Sequence, residues 1–193
     1  MVVLIIVIVI VVLLAFGLWL GYNGLVRKRN RTQEAWSEID IELKRRHDLI
    51  PNLVSTVQGY AAHEQGTFEA VTQARANAVS AGATEDPAKI APAENALTTS
   101  LRSLFAVAEN YPQLKANENF LKLETRISEL EERIADRREF FNDDVNTYHT
   151  RIGQIPEVFV ASFMSLKPRA LFRASDEDRK LVEVKFQSRG AGA

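Results

Sequence analysis

The chain has 193 residues, with 25 acidic against 24 basic side chains and a net charge of −1. That balance excludes a nucleic-acid binder working by bulk charge and an acidic tail protein. Cysteine is absent, which excludes disulfides, thiolate metal sites and cysteine nucleophiles together.

The first 26 residues, Met1 to Val26, carry no charged side chain and are nearly pure Val, Ile and Leu as far as Leu20. At about 1.5 Å per residue, a helix from Val2 to Tyr22 covers roughly 30 Å, the thickness of a bilayer's hydrocarbon core. The β-branched composition is no objection, because in lipid a lone segment satisfies its backbone only as a helix. Trp19 and Tyr22 then fall at the headgroup boundary, and Arg27, Lys28, Arg29 and Arg31 follow at once. Four cations after the span, against an α-amino group before it, predict an N-terminus outside and a cytoplasmic remainder. A cleaved signal peptide is the weaker reading. Ala15-Phe16-Gly17 offers a small-x-small site, but the apolar run is long and the charge lies on its wrong side. Beyond the span roughly 167 residues remain, enough for one domain.

Past the basic cluster, apolar residues recur every seven: Trp36, Leu43, Ile50, Val57, Val71 and Ala78, with Glu64 the only polar beat. Ile39, Val54, Ala61 and Phe68 fill the alternate spacing of three or four, which predicts one long amphipathic helix or two joined at a kink. Pro51 is the expected kink, since the beat runs through it. Ser80 to Ala93 has two prolines, a glycine and no period, and reads as the main loop. A shorter helix follows with Leu97, Leu101, Leu104, Phe105 and Ala108 on one side, ending near Asn110-Tyr111-Pro112.

Asn117 is a good N-cap for the next helix, whose beat is the cleanest in the chain: Phe120, Ile127, Ile134, Phe141 and Tyr148, with Leu123, Leu130 and Val145 between. Arg137 and Asp144 sit near this stripe, where buried pairing is one reading and a flanking position with stems that snorkel to solvent carries more weight. The helix ends near Gly153 to Pro156, and Pro156 can open a last one, Glu157 to Leu166, with apolar Val158, Phe159, Phe163, Met164 and Leu166. From Ser175 the chain is charged, with a weak alternation over Leu181 to Phe186, and reads as an unstructured tail.

Several runs together resemble the LemA family of bacterial membrane proteins: Gly21-Tyr22-Asn23, Ala35-Trp36-Ser37, Leu43-Lys44-Arg45-Arg46, Asp48-Leu49-Ile50-Pro51-Asn52-Leu53-Val54, Gly59-Tyr60-Ala61, Ala108-Glu109-Asn110-Tyr111-Pro112 and Leu114-Lys115-Ala116-Asn117. The resemblance extends from the span to about residue 172. It implies an all-α protein: an N-terminal transmembrane helix followed by an antiparallel bundle of long helices with a short C-terminal helix. It implies no known activity. The expected parts are residues 1–26 as anchor, 27–172 as cytoplasmic bundle and 173–193 as tail, in the bacterial cytoplasmic membrane as a single-pass protein.

His47 and His63 are 16 residues apart on the expected rod, a spacing that makes no helical metal pair. No GxSxG, Walker or Rossmann pattern is present. No catalytic residue, cofactor or metal is therefore expected, and no nucleic acid. The basic cluster Lys44, Arg45 and Arg46 has two readings, a phosphate or acidic-partner site and a solvated or intrabundle face, of which the second carries more weight. The short apolar helix with Phe159, Phe163 and Met164 could cap its own bundle, lie on the inner leaflet or dock on a neighbour. The function these features favour is a membrane-anchored scaffold or adaptor whose long helices meet copies of the chain or other membrane proteins. The competing class is an enzyme or ligand sensor with an interhelical site near His47 or His63.

Overall fold

The computed structural model describes residues 1–173; the tail from Ser175 and the alternation at Leu181 to Phe186 lie outside the described residues. Six helices and no strand occur among those described: α1 (Val2–Gln58), α2 (Gln65–Gly82), α3 (Pro87–Ala108), α4 (Pro112–Lys115), α5 (Glu118–Gly153) and α6 (Glu157–Phe163). The all-α expectation, an apolar first helix and then a bundle, is what the chain adopts.

Helix α1 changes surroundings halfway, from uncovered to packed. Its large apolar side chains from Val2 to Leu14 are all exposed, and its most apolar window has nothing packed on it. From Leu25 onward it buries one stripe, Trp36, Ile39, Leu43, Ile50, Leu53 and Val57. Pro51 lies inside this helix without ending it. Its missing N–H would have bonded the His47 carbonyl four residues back, and that carbonyl instead accepts from Arg75 Nε of α2 at 2.7 Å. The proline's orphan is thus satisfied by a neighbouring helix, which lets α1 continue.

The rod ends seven residues after the proline, at Gln58. There Tyr60 and Ala61 N–H both turn back onto the Val57 carbonyl, and the chain reverses into α2. The expectation of a single stripe through a kink at Pro51 is corrected here. Val57, Ala61, Phe68 and Val71 remain in one core, so the beat survives a reversal of the backbone that it does not report. Glu64, the polar beat, marks the turn.

The loop expected at Ser80 to Ala93 is also corrected, to residues 83–86 between α2 and α3. Pro87 is the first residue of α3, and the Asp86 carboxylate accepts from Ala88 N–H at 3.0 Å. Proline at a helix start and an aspartate cap are start signals. The Asn117 cap is as expected, its Oδ1 accepting from Asn119 and Phe120 N–H.

Helix α5 runs back along α1, and the α2–α3 hairpin packs on the half of α1 beyond the apolar run, from the Trp36 level to the far end. Three apolar clusters stack along the rod. The far one joins Ile50, Leu53, Phe68, Leu97, Leu101, Phe120 and Ile127. The middle one joins Trp36, Ile39, Leu43, Ile90, Ile134, Phe141 and Phe172. The near one, at the end of the apolar run, joins Leu25 to Val160 and Ala161 of α6.

After α6 the chain returns along the groove between α1 and α5, a strap the sequence did not announce. Tyr148 Oη donates to the Lys167 carbonyl at 3.1 Å, and Arg169 N–H donates to His149 Nε2 at 2.9 Å. Asn142 bonds both backbone groups of Phe172, at 2.9 and 3.0 Å. Phe172 closes the strap against Trp36, ring centroids 5.7 Å apart, under the Arg138 guanidinium at 4.2 Å.

Candidate functional site

Two places on the rod bring polar chemistry together: a level inside the bundle, and the corner where the apolar run ends.

Between the far and middle clusters lies an ionic layer. Arg46 follows Leu43 by three residues and precedes Ile50 by four, so it points into the bundle, where it is 1% exposed. One guanidinium nitrogen pairs with Glu94 of α3 and the other with Glu131 of α5. Thr98 accepts from Arg46 at 2.9 Å and donates to Glu131 at 3.1 Å. Glu94 is as buried as Arg46, whereas Glu131 keeps an edge in solvent. His47 Nε2 stands 3.0 Å from Glu94 Oε1, in ion-pair range, although the two atoms are not aligned as a hydrogen bond. Burial pushes the Glu94 carboxyl up, but His47 and Arg46 outweigh it and hold it below the usual carboxylate range. The basic cluster of the sequence is therefore divided. Arg46 is no surface cation; its charge is spent inside, because two carboxylates meet it there. Lys44 and Arg45 stay exposed, paired along their own helix with Asp40 at 2.6 Å and Glu42 at 3.1 Å.

His47 and Glu94 reach the floor of a cleft of about 440 Å³ walled by Trp36, Asp40, Lys44 and Glu85. His63 is exposed and far from it in the turn before α2. Among the described residues no group of three potential ligands is placed to hold a metal ion. Arg137 pairs with Glu38 at 2.5 Å and Asp144 with Arg31 at 2.9 Å, so the two residues flanking the stripe fasten α5 to α1 at its edges.

At the other end, the boundary residues of the sequence gather on α1: Trp19, Tyr22, Arg27 and Arg29 are exposed, while Lys28 is partly covered. Helix α6 packs here by Val160 and Ala161 against Leu25. Met164 is partly buried against this cluster. Phe159 and Phe163 turn outward, 65% and 89% exposed. No sequence signal announced Glu94, Thr98 or Glu131 as partners of Arg46, since they lie 48, 52 and 85 residues away.

A helical bundle carried on one exposed apolar helix of membrane-crossing length defines a class, the membrane-associated helical proteins. The match to the LemA family model over residues 35–186 makes the assignment within that class, and the chain belongs to the LemA family. It is 27% identical over 179 residues to magnetosome protein MamQ 2 of Paramagnetospirillum magneticum, covering 81% of this chain and 66% of that protein. It is similar to the same degree to MamQ of Magnetospirillum gryphiswaldense, 27% identical over 78% of this chain and 64% of that one. It is 29% identical to protein LemA of Metamycoplasma hominis, over 84% of this chain and 73% of that one. The chain thus spans just under two thirds of the length of the MamQ proteins it matches.

Proposed function

We propose that this chain is a single-pass scaffold or adaptor of the bacterial cytoplasmic membrane, with its N-terminus outside and its bundle in the cytoplasm. Its long helices present side surfaces to copies of itself or to other membrane proteins. The observation that carries the reading is α1 itself: one unbroken helix joins an uncovered apolar half to a half that is integral to the bundle. Anchor and bundle are one mechanical piece, which is what a protein that positions others at a membrane requires. The polar chemistry inside is consistent with this role, since the Arg46 guanidinium is committed to Glu94, Glu131 and Thr98 between the helices. The basic residues Arg27, Lys28, Arg29 and Arg31 after the apolar run support the cytoplasmic side for the bundle.

The competing reading, an enzyme or ligand sensor, has one observation in its favour, the cleft with His47 and Glu94 at its floor. No enzyme is proposed, because the buried carboxylate there is already committed to Arg46.

A reporter fused after Gln187 tests the orientation, and activity of the cytoplasmic kind is expected. Periplasmic or extracellular activity would reverse it. Light scattering on the chain extracted in mild detergent tests assembly: a mass above the monomer supports self-association, and a strict monomer without a bound membrane-protein partner counts against the scaffold. Mutation of His47 to Ala with assembly intact and a ligand response lost would favour the sensor instead.

A further inference from the structure

Helix α6 is held at a fixed height on α1. Val160 and Ala161 are buried against Leu25, and a Cβ placed on Gly21 would lie 3.8 Å from Glu157 Cγ and 3.9 Å from Val160 Cγ2. Gly21 and Leu25 bracket Tyr22, and Trp19 is two residues before Gly21. The helix therefore sits at the level where the apolar run gives way to charge. Its outer face carries Phe159 and Phe163, one helical turn apart and so side by side, with Ile155 just before them. The three are 65%, 89% and 79% exposed.

Beside this face is a groove of about 570 Å³, apolar at Gly17 and Leu20 and basic at Arg27, Lys28 and Arg151. Arg151 is tied to Glu157 at 2.7 Å. Arg27 and Lys28 have no ion-pair partner among the described residues.

We infer that α6 is a second membrane contact: Ile155, Phe159 and Phe163 enter the lipid, and Arg27 with Lys28 holds the headgroup of an anionic phospholipid seated in the groove between α1 and α6. The inference rests on the anchoring proposed above for the apolar half of α1. Continuity selects lipid over a second copy of the chain, because α6 is seated on Gly21 and Leu25, directly after the exposed Leu18, Trp19 and Leu20 of the apolar run. Charge selects an anionic lipid, since apolar side chains rimmed by unpaired cations match a leaflet that is apolar inside and negative at its surface. One helix through a membrane can tilt in any direction. A second contact on one side of its base favours the tilts that keep α6 at the leaflet over those that lift it away.

The chain's lack of cysteine makes single labels simple. The full chain is reconstituted in nanodiscs of neutral phospholipid, with or without an anionic phospholipid, each containing brominated lipid as quencher. An environment-sensitive dye is attached at Phe159→Cys, Phe163→Cys, Phe140→Cys or Ile10→Cys. Phe140 is the control, since it is 63% exposed but lies on α5 well away from α6. The expected result is blue-shifted, quenched emission at 159 and 163, as at 10, with 140 unshifted and unquenched. Anionic lipid should deepen quenching at 163, and Arg27→Gln with Lys28→Gln should remove that gain while leaving quenching in neutral lipid.

A blue shift at 163 without quenching would mean that protein covers the face, and would overturn the lipid contact. Unshifted emission at 159 and 163 with Ile10→Cys quenched would place the face in water and overturn it too. Equal quenching in neutral and anionic discs would overturn the headgroup site. Failure of quenching at 10 would overturn the anchoring itself, and the inference with it.

Discussion

Arg46 occupies a level of the bundle that leucine or methionine could fill by volume. A guanidinium there loses its hydration, and only the two carboxylates and Thr98 around it make that tolerable. Removing one partner is therefore far more damaging than replacing the set. Arg46→Ala, which strands the buried Glu94, should cost about 3–5 kcal/mol, whereas Arg46→Met with Glu94→Leu and Glu131→Leu together should fall within about 1–2 kcal/mol of the parent. Urea unfolding of the detergent-solubilised chain measures both; equal losses would mean that the layer is not acting as a unit. The Glu94 carboxyl also gives the layer a pH dependence. Its folded value is depressed below the ordinary 4.5, so its contribution is fully present above that value and is lost as pH falls through the folded one. Glu94→Gln should flatten the acid limb of the stability profile, and a limb as steep as the parent's would assign it to other carboxylates.

Helices were legible in this sequence wherever burial alone decides. Phe120, Ile127, Ile134, Phe141 and Tyr148 are all buried, as the strict beat of α5 requires, and so are the beats at Trp36, Leu43 and Ile50. The turn at 59–64 was not legible, because the side chains on either side of it enter the same core and the period continues across. The loop is shorter than its composition suggests because prolines that usually break helices do not do so here: Pro87 starts α3 and Pro92 is carried inside it. The Arg46 layer and the Phe172 strap depend on which distant helix faces which, and periodicity carries no such information. Pro51 is the element-scale case that can be tested. With proline at 51, the His47 carbonyl relies on Arg75, so Arg75→Ala should cost about 1–3 kcal/mol. In a Pro51→Ala background the restored N–H can bond that carbonyl within the helix, and the same substitution should cost markedly less. Additive losses in this double-mutant cycle would show that Arg75 acts elsewhere.

At the scale of the whole molecule, α1 makes the height of the bundle a matter of arithmetic. From Val26 to Gln58 a continuous helix rises roughly 48 Å, and no hinge interrupts it, because the proline's lost bond is replaced and α5 is fastened alongside by Arg31–Asp144 and Arg137–Glu38. If the apolar half crosses the membrane, the turn at 59–64 stands near that distance from the headgroups and α6 stands at them. A donor dye at Ala62→Cys should therefore transfer weakly to acceptor-labelled lipid in a reconstituted bilayer, while the same dye at Phe163→Cys transfers strongly. Comparable transfer from both would mean that the bundle lies down on the leaflet, which an unbroken α1 forbids unless the helix parts near Arg27. A partner reached by an upright rod must offer its contact surface well away from the bilayer, so cross-links from the turn at 59–64 should go to extramembrane parts of other chains rather than to their membrane spans.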